Sequence, residues 1–121
     1  MSHTQTIGSL GEKIAKDFLK NKKYKIITTN YRSGRGEIDI ISLDKITKEL
    51  VFVEVKTRST HSGSLPEKMV SLKKRAKVVE TAHEFFFKNN ITSSQNYRFD
   101  VVAVEINLDS RLARVTHFKY I

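Results

Sequence analysis

Apolar residues between Ile7 and Leu19 recur at helical spacing. Ile7, Leu10, Ile14, Phe18 and Leu19 share one arc, and Gly11 and Ala15 fall on it at about 100° per residue. This predicts an amphipathic helix that packs closely through its small residues. The stretch from Tyr24 to Tyr31, YKIITTNY, is rich in aromatic and β-branched residues and predicts a strand. It runs into SGRG, whose two glycines are expected to take the positive φ angles of a tight connection. GEIDIISLD and ELVFVEVKT follow, separated by a short polar stretch around Lys45 to Lys48, which is the sequence form of a β-hairpin.

Residues Arg58 to Leu65 hold Ser, Thr, His and Gly without a period and predict an exposed loop. Pro66 then opens a helix that runs to about Asn89, in which Met69, Leu72, Ala76, Val79, His83, Phe86 and Phe87 share an arc and Lys73, Lys74 and Lys77 lie opposite. RFDVVAVEI and RLARVTHFKYI, joined by the polar NLDS, form a second hairpin. The order is α-β-β-β-α-β-β, an α/β chain with a mixed five-stranded sheet flanked by two helices.

At 121 residues this reads as a single domain, 1–121. Lys and Arg number 22 against 13 Asp and Glu, a net charge of +9, and the first partner to suspect is a polyanion. The absence of cysteine removes disulfides, thiolate zinc sites and thiol nucleophiles together. No apolar run approaches the ~20 residues needed to cross a bilayer, and MSHTQTIGSL lacks a basic segment followed by an apolar one, so the expectation is a cytoplasmic protein away from membranes. Gly34-Arg35-Gly36 is too short for a nucleotide-binding loop and no G-x-x-x-x-G-K run exists, so no nucleotide cofactor is expected. His83 reads as a packed core residue and His61 as a solvated one, which leaves no zinc site.

The informative feature is acids inside strands that otherwise want burial. Alternation puts Ile38 and Ile40 on one face and Glu37, Asp39 and Ile41 on the other; Val51, Val53 and Val55 share a face opposite Phe52, Glu54 and Lys56. A hairpin centred between Ile46 and Thr47 sets Asp39 opposite Glu54, Glu37 opposite Lys56 and Ile41 opposite Phe52, with Ile38 and Ile40 opposite Val55 and Val53. A one-residue slip would mix acids with valines, so the pattern selects this register. Two carboxylates with Cβ atoms roughly 5 Å apart repel unless a cation or a shared proton lies between them. A divalent ion is the simplest remedy. Hard oxygen ligands suit Mg2+ or Mn2+, and Lys56 is placed to orient or deprotonate the attacking water and offset phosphate charge. The competing reading is a surface ladder, with Glu37 simply pairing Lys56. Arg98 and Asp100 stand on one face of a strand and are expected to pair with each other.

The helix with GEKIA, then NYRSGRGEIDII, VFVEVKTR, a basic helix and RFDVV resemble the YraN family of bacterial proteins over nearly the whole chain. That family is similar to the restriction-endonuclease-like nucleases with the PD-(D/E)xK motif, including archaeal Holliday-junction resolvases. The resemblance implies that fold, and implies Asp39 for the motif's Asp, Glu54 for its acid and Lys56 for its Lys. Ile38 stands where the named motif has Pro, a change the resolvase branch also tolerates. Resolvase-like relatives place an acid of the first helix in the metal site, which implies Glu12. A local alternative stays open, because Ser9-Leu10-Gly11-Glu12 also fits the S-x-x-E capping box.

Arg32 and Arg35 at the glycine turn, Arg58 past Lys56, and Lys73, Lys74 and Lys77 on the second helix are the candidate nucleic-acid contacts. For the helix lysines a plain solvated face is the other reading. Tyr24, Tyr31 and Tyr97 either stack on bases or pack. The sequence therefore points to a metal-dependent DNA endonuclease in which Asp39, Glu54 and Glu12 bind magnesium or manganese and Lys56 assists the water. The alternative is a module of the same fold that binds DNA or RNA without cutting. If branched DNA is the substrate, a homodimer is required, because one site cannot cut two strands at once.

Overall fold

The computed structural model describes residues 7–34, 36–59 and 72–121. The elements are α1 (Ile7–Asn21), β1 (Tyr24–Ser33), β2 (Gly36–Asp44), β3 (Leu50–Ser59), α2 (Leu72–Lys88), β4 (Tyr97–Asn107) and β5 (Leu112–Phe118). This is the expected α-β-β-β-α-β-β order. The five strands form one sheet in the order β1-β2-β3-β4-β5. Neighbours are antiparallel except β3 and β4, which run parallel and are joined through α2, as a parallel pair requires. No described helix is long and apolar enough to cross a membrane. Arg35, the loop around His61, and the helix start at Pro66 with Met69 lie outside the described residues, as do the side chains of Leu72, Lys73 and Lys74.

Each face of the sheet carries one helix. Ala15 and Leu19 of α1 pack against Ile40, Val51, Val53, Val55, Val102 and Val104, while Ala82 and Phe85 of α2 pack against Ile38, Ile41, Leu50 and Phe52. β3 is buried on both faces over most of its length, which is why it reads as a nearly continuous apolar run. A Cβ added to Gly11 would collide with the Thr57 side chain, so glycine lets α1 touch β3. Gly11→Ala is expected to destabilise the fold by about 1–3 kcal/mol, with Thr57→Ala restoring part of the loss; equal melting of wild type and single variant would refute this contact.

The β2–β3 register is the one the pattern selected: Ile40 pairs with Val53, Ile41 with Phe52, Ser42 with Val51 and Leu43 with Leu50. Asp44 shapes the turn, its Oδ1 accepting the N–H groups of Ile46 at 2.9 Å and Thr47 at 3.3 Å. Asn107 does the same in the second hairpin, accepting from Asp109 and Ser110.

Several expectations are corrected. Neither Gly34 nor Gly36 takes a positive φ. Gly36 serves instead for close approach, since a Cβ there would meet Thr81 Oγ1 of α2 at 3.1 Å. Ile38 lies with Phe52 and Phe85 on the α2 side rather than with Ile40. Alternation breaks where Asn30, between the β1 residues opposite Ile38 and Ile40, adopts a φ of 52°. α2 is rotated from the expected phase: Val78, Thr81, Ala82 and Phe85 turn inward, while Ala76, His83 and Phe87 are exposed. His83 is therefore not a core residue. Ser9 lies inside α1, which begins at Ile7, so Ser9 to Glu12 does not form a capping box.

Candidate active site

The site begins where two strands part. The β2–β3 ladder runs from Leu43–Leu50 to Ile40–Val53. One step further Asp39 turns its carboxylate to the neighbouring strand, and its Oδ2 accepts the Val55 N–H at 2.8 Å. A side chain thus takes the place of a ladder bond. Asp39 and Glu54 line the same open cleft, of about 230 Å³, together with Gly36, Glu37, Lys77 and Val78. Lys56 reaches back along β3, its Nζ 3.4 Å from Glu54 Oε2. Glu54 and Lys56 are both mostly shielded, with 13% and 24% of their side chains exposed, so their attraction is screened less than that of a surface pair.

Glu37 pairs with Arg32 across β1–β2, Nε to Oε2 at 3.3 Å, rather than with Lys56. Arg32 is nevertheless exposed at the cleft margin, one residue from the glycine turn. Arg58 is drawn into the sheet, where its guanidinium meets Glu105 at 3.4 Å. Its parallel-strand partner is that same Glu105. Lys77 lines the acid cleft itself, and Lys73 and Lys74 precede it in the first turn of α2. Glu12 lies on α1, the helix that covers the opposite face from α2. Among the described residues no three His, Cys, Asp or Glu side chains gather as one metal-holding group, so the structure brings Asp39, Glu54, Lys56 and Lys77 together and leaves Glu12 outside.

A second polar cluster lies on the α1 side of the sheet, and the sequence showed only its nearest pair. Arg98 Nε donates to both oxygens of Asp100, at 3.0 and 3.1 Å, as the reading of that strand expected. Its other nitrogens reach Asp44, Glu49 and the Tyr24 hydroxyl. Asp100 also meets His117 Nε2 at 2.7 Å and accepts the Tyr120 N–H. Burial opposes the charge on Arg98, but the hydrogen bond and charge of Asp100 and the hydrogen bond of Glu49 outweigh it and hold its pKa above the ordinary value. Burial likewise opposes ionisation of Asp44, yet the N–H groups of Ile46 and Thr47 keep its carboxyl below the usual range. Glu49 is lowered in the same way, its burial outweighed by bonds from Thr47, Arg98 and Tyr120. Burial pushes the Tyr24 phenol up to about 12. Tyr24 is thus a packing residue, and Tyr31 stacks edge-on against Phe85 at 5.3 Å.

Comparison with known proteins gives the family of the chain. Residues 11–104 match the profile of the uncharacterised protein family UPF0102. A UPF0102 protein of Caldanaerobacter subterraneus is 40% identical over 114 residues, covering 93% of this chain and 91% of that protein. One from Alkaliphilus oremlandii is 38% identical over 114 residues, covering 93% of this chain and 94% of that protein. Among solved structures, Pyrococcus furiosus SfsA in complex with Ca2+ is similar at a TM-score of 0.36 and 14% identity, the match spanning 93% of this chain and 61% of that one. With sequence relatives aligned from end to end at this identity, the chain belongs to the uncharacterised protein family UPF0102.

Proposed function

We propose that this protein is a metal-dependent phosphodiesterase acting on DNA, an endonuclease of the PD-(D/E)xK type. The observation that carries the reading is the parting of β2 and β3 at Asp39, which leaves Asp39 and Glu54, with Glu37 beside them, in one open cleft with Lys77 on its wall and Lys56 against Glu54. Two like charges at the opening of a strand pair repel each other, and a cation between them would gain two hard ligands.

The donor set fits Mg2+ or Mn2+. Magnesium is commonly held by one or two carboxylates, with water and substrate phosphate completing its shell, and Asp39 and Glu54 would supply those carboxylates. Bound there, the ion would supply Lewis-acid stabilisation of charge on the phosphoryl oxygens. Asp39 is kept in its working orientation by the Val55 N–H. Lys56 holds Glu54 in place and presents an ammonium beside it, where it orients the attacking water and offsets phosphate charge. Lys77 and Arg32 lie where a phosphodiester backbone enters the cleft.

The test is cleavage of labelled linear duplex, single strand, flap, four-way junction and structured RNA, with Mg2+ or Mn2+ and with chelator. The expected result is metal-dependent cutting of at least one DNA. Binding without cutting under every condition would make the protein a binding module. Affinity is also expected to fall steeply with salt, since neutralising even two phosphates costs about tenfold between about 50 and 200 mM. A flat dependence of log affinity on log salt would refute the basic surface as the binding surface.

A further inference from the structure

The far end of α2 carries a groove that the candidate site does not use. His83, Phe86, Phe87, Ile91, Ser93 and Tyr97 line an open depression of about 410 Å³. Phe87 is 84% exposed and Tyr97 40%. The floor is fixed by packing, with Phe86 against Tyr97 at 5.1 Å and against Phe52 at 6.1 Å. The walls therefore present aromatic faces to water from a rigid base, and exposed His83 and Ser93 add hydrogen-bonding groups at the rim.

We propose that this groove takes an unpaired base of the same nucleic-acid strand whose backbone passes the Asp39–Glu54 cleft. The protein then selects nucleic acid with single-stranded bases a few nucleotides from the cut. This rests on the nucleic-acid reading above and adds the class of substrate to it.

Two distances agree on the spacing. Val78 lines the acid cleft and Phe86 the groove, and eight helical residues span about 12 Å. On the sheet, Tyr97 pairs with Leu50, and Leu50 to Glu54 along β3 covers about 13 Å. Both correspond to about three or four stacked steps of a strand at 3.4 Å each. Cleft and groove lie on the α2 side of the sheet, and because Lys77 and Phe86 are nine residues apart, half a turn in projection, the strand joining them crosses α2. A chain of net charge +9 attracts a polyanion, Lys77 lines the cleft on the α2 side, and an aromatic wall stacks any base regardless of its identity. A second copy of the chain is the poorer occupant, because two chains of net charge +9 repel each other.

The test measures affinity in chelator, by fluorescence anisotropy, for a labelled oligothymidylate and a duplex of equal length. Phe87→Ala is expected to weaken single-strand binding about tenfold and duplex binding less than about twofold. Phe87→Leu should behave like Phe87→Ala, since an aliphatic side chain does not stack. The exposed ring leaves little to unfold, and unchanged melting confirms the fold. Equal losses on both substrates, or none on either, would overturn the groove while leaving the phosphodiesterase intact. A wild type that binds neither substrate overturns both readings. Self-association of the wild type that Phe87→Ala abolishes would assign the groove to a second copy and overturn it.

Discussion

Asp39→Asn and Glu54→Gln are expected to lower metal-dependent cleavage by at least about a hundredfold, the equivalent of losing several kcal/mol of transition-state stabilisation. Affinity measured in chelator should stay within about twofold, because neither acid neutralises phosphate. Asn is the informative replacement at position 39. Its amide oxygen can still accept the Val55 N–H that Asp39 Oδ2 accepts now, so the strands stay parted and only the ligand charge is lost. Lys56→Ala should reduce cleavage more than binding, since one phosphate contact among several is replaceable and a group orienting water is not. Equal losses in cleavage and binding would demote Lys56 to a phosphate clamp. Full activity of either acid variant would end the catalytic assignment.

Arg98→Met is expected to cost about 3–5 kcal/mol, because it leaves Asp44 and Asp100 buried without their cation. The side chain of Arg98 is only 2% exposed, so water does not compensate. For a chain of this size the loss corresponds to a fall in Tm of more than about 10 °C. The pH dependence identifies the cause. Asp44 and Glu49 are lowered in the fold, so their contribution is present above the ordinary carboxylate range and is lost as pH falls through their folded values. The deficit of Arg98→Met should therefore narrow as pH drops below about 4, where protonated carboxyls no longer need the guanidinium. Tyr24, raised to about 12, acts at the other limb, and wild-type stability should decline as pH rises from its ordinary 10.0 towards that value. A deficit that is the same at every pH would mean that Arg98 acts through packing alone.

The hairpin register was legible because two independent signals agreed on it: valines had to meet isoleucines, and the turn had to close between Asp44 and Glu49. The expected pairs 39/54, 38/55 and 37/56 lie beyond the end of the observed ladder, and Asp39 and Glu54 come together by lining one cleft. The phase of α2 was not legible, because Val78 beside Val79 and the run Phe85-Phe86-Phe87 offer several stripes of equal hydrophobicity. What decides between them is packing from elsewhere, through Tyr31 and Phe52 against Phe85. The same rotation exposes Phe87 and sets Lys77 beside the acids, so the misread angle hid the groove, while Lys77 was legible as a basic contact but not as a cleft residue. The Arg98 cluster was legible only for its i, i+2 pair. Its other members, Tyr24, Asp44, Glu49, His117 and Tyr120, come from segments that only the complete sheet brings together.

The parallel ladder between β3 and β4 also governs how the chain assembles. Every antiparallel pairing in the sheet joins strands adjacent in sequence, whereas this ladder ties Leu50 to Tyr97 and Ser59 to Ile106. The entropy of closing that long loop must be met before the contacts reward it, so docking of the β4–β5 hairpin onto β3 is expected to be the slow step of folding. Arg98 meets Asp44 and Glu49 only when that docking is complete, and the ionic cluster locks the joint from the α1 side. β3 carries Glu54 and Lys56 on its other flank. A partly synthesised chain that has emerged only through β3 thus holds both carboxylates before α2 is present to supply the Lys77 wall of the cleft.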